Sequence, residues 1–292
     1  MNDGKLNSTQ DIVELQGLLV NNTLEVKTDK SGRKFIGGTL EINTGTINDE
    51  CIIPVEIMQY ELKKDGSRNP LYDRALQMTS WPSASTVGNA EAICVSINRG
   101  EITDNSFYSE RANKVVESWR VRAVFVDQAN KVAPRNNSFT IQGVVDSVKE
   151  VLNSEGEPTG ELKVDLLTVG FGERVNRIPM YVLNKEGIKY IEDNWNPGDL
   201  ITAYGEIVYE QKITEVAQET AFGTGTTKKY TDVIKRLVIN SGTSPKTADE
   251  HAYDRNKLLS LRAAALKDIE ERYIANKGMA TTTNSGNPYL DF

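Results

Sequence analysis

Short runs of apolar and β-branched residues, divided by polar turns, fill most of the chain and predict strands. Ile12–Lys27 is the first long run. The polar turn Lys30-Ser31-Gly32-Arg33 gives a hairpin signal and leads into Phe35–Asn43 and then Cys51–Gln59. Asn69-Pro70 opens a short helix over Leu71–Met78, with proline at its first position. Ala90–Ile102 and Val115–Val126 complete the set. Asp104–Asn113 lies between these two as a polar loop that carries Phe107 and Tyr108.

The same list follows a second time. Phe139–Leu152 is a strand, Asn153–Gly160 a turn, and Glu161–Thr168 and Arg174–Leu183 are strands. Lys185–Asn194 reads as a helix, followed by the turn Trp195-Asn196-Pro197-Gly198-Asp199. Leu200–Ile213 and Tyr230–Ile239 are strands around a loop, Thr214–Lys229. Matching tokens occur in the same order in both halves. Leu15-Gln16-Gly17-Leu18-Leu19 matches Ile141-Gln142-Gly143-Val144-Val145, and Ile52-Ile53-Pro54 matches Arg177-Ile178-Pro179. Trp81-Pro82 matches Trp195-Asn196-Pro197, and the run through Arg122 matches the run through Arg236. Four ordered matches predict a duplicated domain.

Five strands with a helix between the third and fourth is the order of a small closed barrel, the OB-fold. The fold class expected is all-β with minor helices. It comprises two tandem OB barrels over residues 10–130 and 138–242, a C-terminal helix over 247–277 and a flexible tail over 278–292. Gly17 and Gly143 stand where a long first strand bends and another backbone comes close. In Ala248–Asn276, Leu258, Leu261, Ala265, Ile269 and Tyr273 share one helix face, and Gly278 is the expected stop. The Thr/Asn/Ser/Gly stretch Met279–Asn287 reads as a mobile linker.

Composition narrows the chemistry. The chain has 292 residues, 38% of them hydrophobic and 26% charged, which is a globular composition. No apolar run is long enough for a membrane span, and the opening residues lack an export signal, so a cytoplasmic protein is expected. With two cysteines and one histidine, a Cys/His zinc site has too few ligands. Cys51 and Cys94 sit in apolar runs and read as buried free thiols, while His251 lies in a polar helix start. No nucleophile–base pair and no metal cluster stands out, and Gly223–Lys229 lacks the spacing of a nucleotide-binding P-loop. An enzyme and a cofactor are therefore not expected. The net charge of −7 is not that of a duplex-DNA binder, but a local basic groove is enough to hold a single strand.

The tokens Gly17-Leu18-Leu19-Val20, Lys27 through Phe35, and Trp195-Asn196-Pro197-Gly198-Asp199 running into Leu200–Ile207 resemble OB-fold single-stranded DNA-binding proteins, phage-type replication proteins among them. In the first half, Trp81–Asn89 is longer and lacks the aspartate of that turn. The resemblance covers about residues 12–240 and implies a groove across the second and third strands, flanked by the loops after strands one and four. There it selects Lys27, Lys30, Arg33, Lys34 and Phe35, the loop residues Phe107, Tyr108, Arg111 and Lys114, and Trp119, Arg120 and Arg122. In the second half it selects Lys163, Phe171, Arg174, Arg177, Tyr181, Lys212, Phe222, Lys228, Lys229, Tyr230, Lys235 and Arg236. Phe35 could equally face the core, and Trp81 and Trp195 read as core. The two loop clusters, Tyr108 with Arg111 and Phe222 with Lys228-Lys229, carry most weight, since a core role suits them least.

The ending Pro288-Tyr289-Leu290-Asp291-Phe292 is similar to the acidic, Pro-Phe-ending tips of bacterial members, although it lacks their acidic run. The resemblance implies that Tyr289, Leu290, Asp291 and Phe292 dock replication or recombination proteins; a frayed polar end is the other reading. The function expected is non-enzymatic, sequence-tolerant binding of single-stranded DNA in phage-like replication or recombination. The alternative is a protein-interaction, virion or anti-defence module built on duplicated barrels. No membrane partner is expected.

Overall fold

The computed structural model describes residues 6–45, 50–131, 134–217 and 227–283; of 211–233 and 278–283 it describes the backbone alone. In the first half the strands are β1 Asp11–Asn22, β2 Glu25–Thr28, β3 Lys34–Asn43, β4 Ile52–Tyr60, β5 Cys94–Asp104, β6 Phe107–Ser109, β7 Lys114–Val116, β8 Trp119–Arg122 and β9 Asp127–Ala129. Helices α1 Pro70–Met78 and α2 Ala84–Val87 lie between β4 and β5. In the second half come β10 Asn136–Leu152, β11 Pro158–Val169, β12 Val175–Val182, α3 Lys185–Asn194, β13 Leu200–Ala217 and β14 Thr227–Gly242. A 3-10 turn, Ala248–Glu250, precedes the long helix α4, Arg255–Thr283.

The pairings close into rings. β1 pairs with β3, β3 with β4, β4 with β8 in parallel, β8 with β5, and β5 with β1. β10 pairs with β11, β11 with β12, β12 with β14 in parallel, β14 with β13, and β13 with β10. Each ring holds five strands in the same order, and each first strand pairs on both sides. The mostly-β architecture with closed barrel, minor helices and C-terminal helix is as expected. The rings are joined edge to edge where β1 runs antiparallel to β10, from Asp11 opposite Ile141 to Gln16 opposite Asn136.

Local sequence explains these elements. In β4 every second residue is inward, and Ile53, Val55 and Ile57 are buried. Asn69 caps α1 by accepting from the Leu71 N–H, and Asn184 caps α3 by accepting from the Gly187 N–H. Both helices end beside a tryptophan: Trp195 is buried and Trp81 is partly buried against the core. At Gly17 a Cβ would lie 2.2 Å from the Asn43 carbonyl oxygen, so only glycine lets β1 cross β3 there. At Gly143 the corresponding approach, to the Leu167 carbonyl oxygen, is 3.0 Å.

Several expectations are corrected. The run Ile12–Lys27 breaks after Asn22, whose side chain accepts from the Leu24 N–H and donates to the Met78 carbonyl. The stretch after Trp81 holds α2, nucleated by a Ser83/Thr86 capping box. The loop Asp104–Asn113 contains β6, which folds onto β7 through Asn113 in the left-handed region at φ 50°. Val115–Val126 is therefore split among separate short strands. The ends of Thr214–Lys229 pair as an arm, out to Ala217 opposite Thr227. Helix α4 starts at Arg255 and continues through Gly278. Its inward residues are Leu258 and Arg262, both buried, then Leu266, Ile269 and Tyr273, all half-buried; Leu261 and Ala265 point outward. The parallel pairings set Arg122 opposite Glu56 and Val238 opposite Tyr181, so Arg236 occupies the place of Arg120 rather than of Arg122. Among the described residues no helix is long and apolar enough to cross a membrane.

Candidate nucleic-acid interface

On the outer face of the first ring, Lys27, Phe35 and Tyr60 lie in one cross-strand row over β2, β3 and β4. Ile36 and Gln59, their neighbours along the strands, point inward, so the alternation turns this row outward. The Phe35 ring lies over Gly37, where a Cβ would meet it at 2.6 Å, and is tilted by 43° on Tyr60 with centroids 5.4 Å apart. Of the two orientations open for Phe35, core or outward, the outward one is observed. The Arg33 guanidinium caps Tyr60, its carbon 4.6 Å from the ring centroid. Asp29 holds that guanidinium at 2.8 Å, and the Arg33 backbone N–H leads the interactions that keep the Asp29 carboxyl below the ordinary range. Lys30 and Lys34 are exposed beside this cluster and make no ion pair among the described residues. A ring surface edged by free ammonium groups can stack bases and neutralise phosphates.

Tyr60 was not among the residues singled out from sequence. The signal was available, because extending β4 by one residue places it opposite Phe35.

The corresponding face of the second ring is smaller. Lys163 stands opposite Tyr181, and the Arg236 guanidinium lies 4.9 Å from the Tyr181 centroid. Both cations are committed: Arg236 to Glu161 at 3.0 Å and Lys163 to Asp165 at 3.2 Å. The first ring has Arg120 bound to Glu56 at 2.9 Å in the equivalent place. Phe171, 94% exposed, and Arg174, which makes no ion pair among the described residues, occupy the turn before β12, at the opposite end of that strand from Tyr181.

Other candidates lie away from these two faces or are engaged within the fold. Trp119 is buried, with the Lys235 ammonium 4.1 Å from its ring centroid and bonded to its carbonyl. Burial lowers the Lys235 pKa to about 8. Arg177 and Arg255 both bind the buried carboxylate of Asp146. Arg122 is half-buried. In the β6–β7 hairpin Arg111 and Lys114 are exposed and free of ion pairs among the described residues, and Phe107 is half exposed. Tyr108 is stacked on Tyr273 of α4, with centroids 4.2 Å apart and planes 13° from parallel. On the arm, register puts Lys212, Tyr230 and Lys228 on one face and Lys229 on the other, while their side chains lie outside the described residues. Phe222, Tyr289, Leu290, Asp291 and Phe292 also lie outside them.

The remaining single groups are structural. Cys94 is buried, and the Cys51 thiol donates to the Ile207 carbonyl at 3.4 Å. His251 accepts from the Tyr253 N–H at Nδ1 and meets the Gly198 carbonyl through Nε2, which assigns the proton to Nε2.

The family model YorF matches residues 10–274, nearly the whole length described above. The chain belongs to the YorF family. Among curated proteins no sequence matches this YorF-family chain. Among solved structures it is similar to the wild-type single-stranded DNA binding protein from Thermus aquaticus, with a TM-score of 0.52 and 12% identity, over 85% of this chain and 98% of that one. A deletion mutant of the same Thermus aquaticus protein matches with a TM-score of 0.47 at 12% identity and the same coverage. At these identities the likeness is one of fold.

Proposed function

We propose that this YorF-family chain binds single-stranded DNA, without catalysis, through OB barrels that arose by duplication. The observation that carries the reading is the outward row Lys27–Phe35–Tyr60, capped by Arg33 and edged by Lys30 and Lys34, on β2 and the second and third strands of a closed ring. Its fold-mate from Thermus aquaticus bears the name of a single-stranded DNA-binding protein, which agrees with this reading. Bases stack on the two rings while the lysines track the phosphates, and sequence matters little because every base has a π-face. The second ring, with Tyr181 under Arg236, extends the path, and joining two sites in one chain raises affinity through effective concentration. The setting is replication or recombination of phage type in a cytoplasm, with residues 289–292 docking protein partners.

Titration of labelled oligo-dT against the protein at several salt concentrations tests this. Affinity falls as salt rises, by about 0.7 in log–log slope for each phosphate contact, and duplex of equal length binds more weakly. Flat salt dependence, or equal affinity for duplex, contradicts the reading and favours a protein-interaction module.

A further inference from the structure

Tyr108 belongs to a hairpin with the chemistry of a single-strand clamp: Phe107 half exposed, Arg111 and Lys114 free among the described residues. Yet its ring is covered. Tyr273 of α4 lies on it nearly parallel, at 4.2 Å and 13°, the arrangement a stacked base would take. The Tyr273 hydroxyl donates to Glu110 in the same hairpin, and Lys277 stands 3.7 Å from that carboxylate. The Tyr108 hydroxyl is turned to Asn113 at 2.8 Å, which fixes the ring in place.

The hold of α4 on the molecule is uneven. Its base is fixed: Leu258 is fully buried, and Arg262 is buried between Asp104, Glu117 and Ser106 on one side and the Val175 carbonyl on the other. After Arg262 no residue of the helix with a described side chain is buried; Leu266, Ile269 and Tyr273 are half-buried, and Tyr273 meets the hairpin. Segments with few buried contacts and exposed bonds open at low cost. The distal turns can therefore leave the hairpin while the base stays docked.

We infer that the distal part of α4 is an autoinhibitory latch, in which Tyr273 occupies the stacking face of Tyr108 until an unpaired DNA base displaces it. This rests on the reading of the chain as a single-strand binder and adds regulation to it. Glu110 helps hold the latch closed, since its carboxylate accepts from the Tyr273 hydroxyl and pairs with Lys277. Opening frees Tyr108 next to Phe107, Arg111 and Lys114, and so adds a platform at the loop after the fourth strand of the ring.

The test compares oligo-dT affinity of the full chain with Tyr273→Ala, Tyr273→Phe, Tyr108→Ala and the double variant Tyr108→Ala/Tyr273→Ala. Removing Tyr273 tightens binding by about 3- to 10-fold, the worth of an aromatic pair, whereas Tyr273→Phe, which keeps the stack, stays near the parent chain. In the Tyr108→Ala background the same removal brings no gain, because the face it would uncover is gone. Hydrogen exchange reads the motion independently: addition of oligo-dT raises exchange in residues 266–277 and leaves 255–262 unchanged. Unchanged or weaker affinity of Tyr273→Ala, with the parent chain binding normally, overturns the latch alone. Absence of oligo-dT binding by parent and Tyr273→Ala together overturns the function and the latch with it.

Discussion

At the residue scale the face of β3 and β4 sets two adjacent rings, Phe35 and Tyr60, beside Lys30 and Lys34, unpaired among the described residues. Phe35→Ala removes a ring that packs on a neighbouring ring and on Gly37, outside the barrel core. Oligo-dT affinity falls by on the order of 1–3 kcal/mol in fluorescence titration, with little change in thermal midpoint. Lys34→Ala removes one phosphate contact and lowers the salt slope by about 0.7. Lys235 gives a separate pH signature. Its pKa is lowered to about 8, so between there and its unfolded value near 10.5 the unfolded chain holds more protons than the folded one. Stability measured by denaturant therefore rises with pH across that window, and Lys235→Met flattens the rise. Asp11 acts at lower pH. Burial, opposed by the Ile102 N–H and aided by Glu101, raises its carboxyl pKa from 3.8 to about 7. The folded chain then holds the extra proton, so this group's contribution falls as pH climbs from about 4 to 7, and Asp11→Asn removes that dependence.

At the element scale, what was legible was what local chemistry decides. Asn69-Pro70 and Asn184 announce their helices because a cap is a contact within the same turn. Gly17 and Pro54, matched by Gly143 and Pro179, mark equivalent places in each ring, because a crossing and an outward strand position constrain residue type. Elements governed by distant partners were not legible. Arg262 was not among the inward residues expected of the helix, yet its guanidinium bonds Asp104 and Glu117, and Arg262 and Leu266 take the inner-face places expected of Leu261 and Ala265, while Leu258, Ile269 and Tyr273 keep theirs. Arg177 was selected for DNA, and its acceptor, Asp146, belongs to a different strand. Asn113 turned a polar loop into a hairpin through a backbone conformation that asparagine tolerates better than most residues. Arg262→Ala strands partly buried carboxylates and lowers stability by at most about 3–5 kcal/mol, read as a lower thermal midpoint together with faster exchange along α4.

At the scale of the whole molecule, the two rings share one continuous sheet, a main apolar cluster with residues from both, and one helix that ties both. The β1–β10 junction, the Trp119–Lys235 contact and the Arg262 cluster each bridge the halves. The two rings are thus held in a fixed relation, so the proposed function requires a strand to meet two sites already placed rather than two beads on a tether. The first ring keeps free lysines beside its aromatic row, whereas the second has neutralised the cations beside Tyr181. First contact with a single strand is therefore expected at the first ring. Ultraviolet crosslinking of the full chain to oligo-dT, with the crosslinked peptides mapped by mass spectrometry, tests this most directly. Adducts are expected at Phe35 and Tyr60 above all other aromatic residues. Adducts confined to other surfaces, or none under conditions of saturated binding, would contradict it.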